Sequence, residues 1–328
     1  VQDRHQRPST YREPLWLPGG HAQTLYAALF APRRFISYRR SEWETPDGDF
    51  IELDWVDGPA DAPLVILFHG LEGSSGSQYA LSLMHALLAR GWRGVVPHFR
   101  GCGGRPNRLP RAYHSGDYQE VDWMLGRLAQ ENSGAPRFAV GVSLGGNALL
   151  KWLGMRGASA GECVQAAIAV SAPIDLSIAG HRLGRGFNRL YSWHFLSTLK
   201  PKSLHKAVQF PDLYDVRRVA RARDLYEFDN LVTAPLHGFK DADDYWTRAS
   251  SKQDLQRIAI PTLLIHARND PFLPGRHLPQ ADDVSSRVTL DYPAGGGHAA
   301  FVSGPFPGRL DWLPRRILAF FDANLHSA

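Results

Sequence analysis

The sequence predicts an α/β protein, a mostly parallel central sheet flanked by helices on both faces, on three observations. Short continuous apolar runs, Leu64-Val65-Ile66-Leu67-Phe68 and Ala166-Ala167-Ile168-Ala169-Val170, have the pattern of strands buried on both faces. Stretches with helical apolar spacing, Gln78 to Arg90 and Tyr118 to Glu131, alternate with such runs. Finally, RFAVGVSLGGNALLK from Arg137 to Lys151 runs a β-leaning segment through Gly141-Val142-Ser143-Leu144-Gly145 into a helix-compatible stretch. Strand, sharp turn and helix put a serine at the apex. Its backbone must be strained for the hydroxyl to project clear of the sheet, and the small Gly141 and Gly145 let strand and helix approach.

Composition narrows the class. A length of 328 residues suits one large α/β domain or two smaller ones, and 44% hydrophobic residues are ample for a core, which excludes disorder. The two cysteines, Cys102 and Cys163, lie far apart in segments that read as interior; a disulfide scaffold is not expected, and a reducing cytoplasm fits. The formal charge of +5 permits peripheral contact with an anionic lipid surface. Its arginines are scattered without a helix-turn-helix or RNA-reading signature, so they read as a solvated basic face, with no nucleic-acid partner. The first residues, VQDRHQRPSTYREP, hold no apolar signal core, and no run approaches the ~18 apolar residues of a transmembrane segment. The expectation is a soluble, cytoplasmic protein.

Taken in order, residues 1–34 form an extension whose Trp16, Leu17 and Leu25 should pack on the body, with Pro18-Gly19-Gly20 breaking any long element. Ser37 to Glu44 and Phe50 to Val56 read as a hairpin around Pro46-Asp47-Gly48-Asp49. After Leu64 to Phe68 comes the glycine-rich loop His69 to Gly76. It lacks the Gly-Lys-Ser/Thr ending and the G-x-G-x-x-G of phosphate cradles, so a backbone N–H offered to an oxyanion is the favoured reading. Gly94 to Pro97 is the next strand, leading into His98-Phe99-Arg100-Gly101-Cys102-Gly103-Gly104. Beyond Ala166 to Val170 the alternation breaks. From about Leu176 to Arg257 there is no clean strand, but helical stretches rich in Phe187, Tyr191, Trp193, Phe195 and Leu199. Such a segment should sit over the strand C-termini, where ligands bind in these sheets. Phe187, Trp193 and Phe195 suggest an apolar acyl site, though a core for the segment itself accounts for most of these aromatics. The sheet resumes at Pro261 to His266 and ends with Arg287 to Asp291, before a C-terminal helix with Ile317, Leu318, Phe320 and Phe321. The organisation expected is therefore an extension (1–34), a core (35–175 and 258–328) and a helical cap insertion (176–257).

A serine hydroxyl is a poor nucleophile at neutral pH and needs an imidazole to take its proton and a carboxylate to orient that imidazole. On a parallel sheet with this serine turn the chain order is nucleophile, acid, base, on loops after strands. Asp270 and His298 meet those conditions, with Asp175 as the competing acid. His69 precedes Ser143 and reads as a hydrogen-bonding neighbour; His266, inside a strand, reads as a satisfied core or edge histidine. The oxyanion donors expected are the backbone N–H groups of Leu144 and Leu71. The 14 histidines make no H-E-x-x-H and no Cys/His cluster, so neither metal nor cofactor is expected.

HGLEG, HFRGCGG followed by PNR and YHSGD, GVSLGGN, ARNDPF and GGGHAAF together closely resemble the YheT-like branch of the α/β-hydrolases, which includes mammalian abhydrolase-domain proteins of the first and third type. The resemblance extends to LPGGHAQTL near the N-terminus, to Phe228-Asp229-Asn230, to Thr233 through Phe239 and to Tyr245. It implies an α/β-hydrolase fold, carboxylic-ester hydrolysis and a triad of Ser143, Asp270 and His298. The function expected is a serine carboxylesterase acting on small-molecule, short- to medium-chain acyl esters through an acyl-enzyme. Acyl transfer to alcohols and (phospho)lipase action are alternatives on the same triad. A non-catalytic binding protein is disfavoured because all three triad residues are present. An Asp in place of Ser143 would have marked dehalogenase or epoxide-hydrolase chemistry.

Overall fold

The structure, a computed structural model, describes residues 11–32 and 34–325. Eight strands form one sheet: β1 (Arg39–Glu44), β2 (Phe50–Val56), β3 (Leu64–Phe68), β4 (Arg93–Pro97), β5 (Arg137–Val142), β6 (Ala166–Val170), β7 (Thr262–Ile265) and β8 (Val288–Asp291), in the spatial order β1-β2-β4-β3-β5-β6-β7-β8. β1, β2 and β4 pair antiparallel, and β4 through β8 run parallel. The hairpin at the antiparallel edge turns where expected: Thr45 N–H donates to Asp49 O (3.0 Å), and Gly48 takes the left-handed φ of 84°.

Period-two alternation along β3 feeds two apolar layers. Leu64, Ile66 and Phe68 join the layer under the helices α3 (Tyr118–Glu131) and α4 (Leu144–Arg156). Val65 and Leu67 face the other way, toward α2 (Gln78–Arg90) and the C-terminal helix Trp312–Asp322, with Leu83, Met84, Ile317 and Phe321. A strand buried on both faces leaves little room for polar side chains, which is why β3 and β6 read as unbroken apolar runs. The loop after β4 is fixed by charge: the buried Arg100 guanidinium meets Glu120 (2.9 Å), Asp47 (2.9 Å) and Asp49 (3.1 Å).

The extension packs on the loop after β8, with Leu17 and Ala27 against Ala300 and Val302, Tyr11 O–H donating to Val302 O (2.7 Å) and Trp16 Nε1–H to Gly304 O (2.9 Å); it includes α1 (Gly20–Leu29). Residues 1–10 of the segment expected to pack lie outside the described residues.

Residues 176–257 contain helices and no strand: α5 (Leu176–Leu183), α6 (Arg189–Gln209), α7 (Val216–Arg221), α8 (Leu225–Phe228), one π turn (Asp229–Thr233), α9 (Ala234–Leu236) and α10 (Ala242–Ala249). Asp175, Asp215, Asp224 and Asp241 each accept a backbone N–H from the first turn of the helix they precede. Tyr191, Leu196, Val219, Phe228 and Val232 make the segment's own apolar cluster, joined by Phe272 from the loop after β7. Of the aromatics suggested for an acyl site, Phe187 (56% exposed) and Trp193 (67%) face outward, and Phe195 turns inward. Among the described residues no helix is long and apolar enough to cross a membrane.

Candidate active site

Between β5 and α4 the backbone reverses in a single residue. Ser143 has φ 54° and ψ −121°, a conformation a side-chain-bearing residue adopts only where its surroundings impose it. Those surroundings are backbone. A methyl group at Gly145 would lie 2.5 Å from the carbonyl oxygens of both Phe68 and His69, and one at Gly141 would lie 2.4 Å from Gly145 O. Glycine is therefore required on both sides of the turn. Ser143 N–H donates to Val170 O (2.9 Å), tying the turn to the end of β6. One turn into α4, Asn147 gives its amide hydrogens to Ser115 O and Ala249 O (2.9 Å each) and accepts from Ser251 N–H (3.0 Å), joining the helix to the segment above.

Two further loops bring their side chains to the hydroxyl. His298 Nε2 lies 2.8 Å from Ser143 Oγ, and its Nδ1 lies 2.9 Å from Asp270 Oδ2. A nitrogen facing a carboxylate carries the hydrogen, which leaves the Nε2 lone pair facing the serine. Burial by itself would raise the Asp270 pKa. The imidazoles of His298 and His266, with the hydrogen bonds they give, outweigh it and hold the carboxyl well below the usual carboxylate range. Phe272 N–H donates to Asp270 Oδ1 (2.8 Å), and the Phe272 ring lies 4.0 Å, centroid to centroid, from the His298 ring.

The histidine loop is held by residues to which sequence reasoning gave no such role. Gly297 N–H donates to Asn269 Oδ1 (2.9 Å), His298 N–H to Thr24 Oγ1 (2.8 Å) and Ala299 N–H to Ser171 Oγ (3.0 Å). Thr24 comes from the N-terminal α1, so the extension takes part in placing the imidazole. His266 is buried as expected of a core histidine. Its Nε2 also lies 3.3 Å from Asp270 Oδ2 and 3.0 Å from Leu273 O, making it a second neighbour of the carboxylate. The position of Asn269 beside Asp270 and of Ser171 just past β6 was the available signal; Thr24 offered none.

The competing candidates are engaged elsewhere. Asp175 caps α5 through Ile178 N–H (3.2 Å) and pairs with Lys252 (3.4 Å). His69 is fully buried, with Nδ1 2.8 Å from Gly70 O and Nε2 accepting from Phe99 N–H (3.1 Å); burial, then neighbouring His98, pushes its pKa down to about 3. Among the described residues no three His, Cys, Asp or Glu side chains are grouped to hold a metal ion.

Ser143 opens into a cavity of about 430 Å³, within the range of small-molecule sites. Leu71 and Leu144 line it beside the serine, and Phe195, Leu199 and Val232 line it from the helical segment. The loop carrying Leu71 approaches closely: a methyl group at Gly70 would lie 3.1 Å from Ser143 Cβ. Leu144, as the first residue of α4, has an N–H with no carbonyl partner inside its own helix.

A family described as alpha/beta hydrolase fold matches residues 63–305. YheT of Escherichia coli K12 is 41% identical over 303 residues, covering 90% of this chain and 88% of that protein. Mouse phospholipase ABHD3 is 30% identical over 324 residues, covering 96% and 78%. Among solved structures, an esterase of Pyrococcus furiosus superposes with a TM-score of 0.57 at 18% identity, over 90% of this chain and 97% of its own, a likeness of fold. With that fold, that serine turn and those relatives, the chain belongs to the α/β-hydrolase fold family, in its YheT-like branch.

Proposed function

We propose that the protein is a serine carboxylic-ester hydrolase for small acyl esters of short to medium chain, with Ser143 as nucleophile, His298 as general base and acid, and Asp270 as the carboxylate that orients it. Residues 176–257 act as its cap. The observation that carries this reading is the continuous chain from Ser143 Oγ to His298 (2.8 Å) to Asp270 (2.9 Å), opening into a largely apolar cavity. Ser143 Oγ attacks the ester carbonyl carbon as its proton passes to His298 Nε2. The N–H groups of Leu144 and Leu71 receive the oxyanion, each contributing about 3 kcal/mol in the transition state. The intermediate collapses, the alcohol leaves with the proton from His298, and water repeats the sequence on the acyl-enzyme.

Replacing Ser143 by Ala tests the reading. Turnover of p-nitrophenyl butyrate should fall by at least about 10⁴-fold with the melting temperature retained; a variant as active as the wild type would sink the assignment. Phospholipase action on the same triad is the second reading, supported by the mouse relative's name and by the cations Lys202 and Lys206 lining the cavity. Phospholipids and simple esters of matched acyl length, compared by kcat/KM, separate the two.

A further inference from the structure

We propose that Tyr79 and Tyr113 are positioning residues that hold the Leu71 amide in place for the oxyanion, each hydroxyl taking up one of the two backbone N–H groups that flank it. This rests on the esterase reading of the same cavity.

Gly70, Leu71, Glu72 and Gly73 make a turn shortly after β3, closed by Gly73 N–H to Gly70 O (2.9 Å). Gly70 N–H donates to the Tyr79 hydroxyl oxygen (2.8 Å), and Glu72 N–H donates to that of Tyr113 (2.8 Å). The N–H between them, that of Leu71, has no hydrogen-bond partner among the described residues, and Leu71 lines the cavity together with Ser143. A turn that satisfies the outer two of three successive donors and leaves the middle one is the arrangement an incoming oxygen completes.

The hydroxyls reach this turn from different elements. Tyr79 stands in the first turn of α2, and Tyr113 opens the YHSGD stretch before α3, which has no part in the triad. Tyr113 O–H donates to Glu72 Oε1 (2.8 Å), so its one hydrogen is committed and a lone pair faces Glu72 N–H. Burial raises the pKa of both phenols, and each stays a neutral hydroxyl at working pH. A methyl group at Gly73 would lie 2.8 Å from the Tyr79 hydroxyl oxygen, so the glycine is what lets that tyrosine in. Glu72 has φ 54°, a left-handed conformation that a residue with a side chain keeps only where its surroundings fix it. Here one hydroxyl grips both its backbone and its carboxylate. The direction of the Leu71 N–H is set separately: a trans peptide points its N–H away from its carbonyl, and Gly70 O is held by Gly73 N–H and by His69 Nδ1–H (2.8 Å).

Removing either hydroxyl leaves one flanking N–H without its partner and lets the turn relax. An oxyanion donor acts only within about 2.7–3.1 Å of the developing charge, and a misplacement of about 1 Å costs on the order of 10²-fold. Because the oxyanion forms only in the transition state, the loss falls on kcat and not on KM.

The test is Tyr113→Phe and Tyr79→Phe in the full chain, each read with p-nitrophenyl butyrate and with a trifluoromethyl ketone that adds to the serine as a tetrahedral oxyanion. Each variant should lose about 10- to 100-fold in kcat with KM within about twofold, and the ketone should bind more weakly by the same factor as kcat/KM falls. Tyrosines that only support the fold would instead lower the melting temperature and change KM, leaving the kcat of the folded fraction and its affinity for the ketone as in the wild type. That pattern, or wild-type kinetics, would overturn the proposal. Either variant decides alone, so one that fails to fold leaves the other to be read. A wild type that does not turn over p-nitrophenyl butyrate, or a Ser143→Ala variant that does, removes the esterase reading and this proposal with it; wild-type turnover with unaffected tyrosine variants removes the proposal alone.

Discussion

The serine turn and the helical segment above it are held by opposite means. At the turn the contacts are backbone against backbone: Gly145 packs on the Phe68 and His69 carbonyls, and Ser143 N–H is tied to Val170. The segment instead reaches the core largely through side chains, beside backbone bonds such as Lys252 N–H to Ile174 O (3.1 Å). Lys206 Nζ–H donates to the carbonyls of Asn107 and Leu109, the Tyr245 hydroxyl oxygen accepts from Ser115 N–H (2.9 Å), and Arg182 Nε–H and Asn188 Nδ2–H both donate to Pro271 O. A backbone-defined site tolerates no added atom but is indifferent to many side chains. A side-chain-defined wall can be rewritten residue by residue. On the proposed reading, this division assigns the chemistry to the turn and the choice of substrate to the segment.

Gly145→Ala should break the comparison hardest. Its methyl has no flexible neighbour to displace, only two carbonyl oxygens at 2.5 Å. The expected result is loss of measurable esterase activity together with destabilisation of about 4 kcal/mol or more, read by urea unfolding. A variant that folds and turns over normally would show that the turn is less constrained than the division requires.

Asp270→Asn comes next. It should lower kcat about 10⁴-fold, because the amide cannot enforce the His298 tautomer, and leave KM for p-nitrophenyl butyrate nearly unchanged. A pH signature accompanies it. The folded-state pKa of Asp270 is depressed, so its contribution to stability is complete above the ordinary carboxylate pKa of about 4 and is lost as pH falls through the depressed value. The melting temperature of the wild type should therefore fall more steeply in acid than that of the variant; parallel curves would contradict the linkage.

Thr24→Val sits lower on the scale. It removes the acceptor for His298 N–H while keeping the shape, and the imidazole should lose alignment without losing its partners. A fall in kcat of about tenfold with little change in KM is expected. The same fall in KM-limited and saturating regimes would separate positioning from substrate contact.

How much of this was legible in the sequence follows the same division. α2 and α3 occupy Gln78–Arg90 and Tyr118–Glu131, the spans their apolar spacing marks, because a helix against a sheet must keep one apolar stripe. Ser143, Asp270 and His298 could be named from chain order and post-strand position, and the fold brings them within hydrogen-bonding distance. Thr24 could not, since its partner lies at the other end of the chain and a threonine in a helix has no signature of its own. Nor could the facing of α6. Phe187 and Trp193 point outward and Phe195 inward, in a stretch where lysines and aromatics mix on every side and no single stripe betrays the buried face. The second neighbour of Asp270 was visible only as a histidine in a strand, because the loop after β7 folds Asp270 back beside His266.

The smallest effect tests the seam between the two regions. Lys202, on α6 and half exposed, pairs at 2.8 Å with the buried Glu72 side chain, the residue after Leu71, which also accepts from the Tyr113 hydroxyl (2.8 Å) and the Cys102 thiol (4.0 Å). Solvent screening at the lysine end limits the pair to about 1 kcal/mol. Lys202→Met should therefore cost little stability, leave kcat within about twofold, and raise KM a few-fold as α6 loosens over the cavity. Glu72→Gln in the same chain should recover much of the KM change, because no buried charge is then left without its cation. If Lys202→Met lowers kcat as strongly as Thr24→Val, the seam itself positions the Leu71 amide, and the chemistry is not confined to the turn.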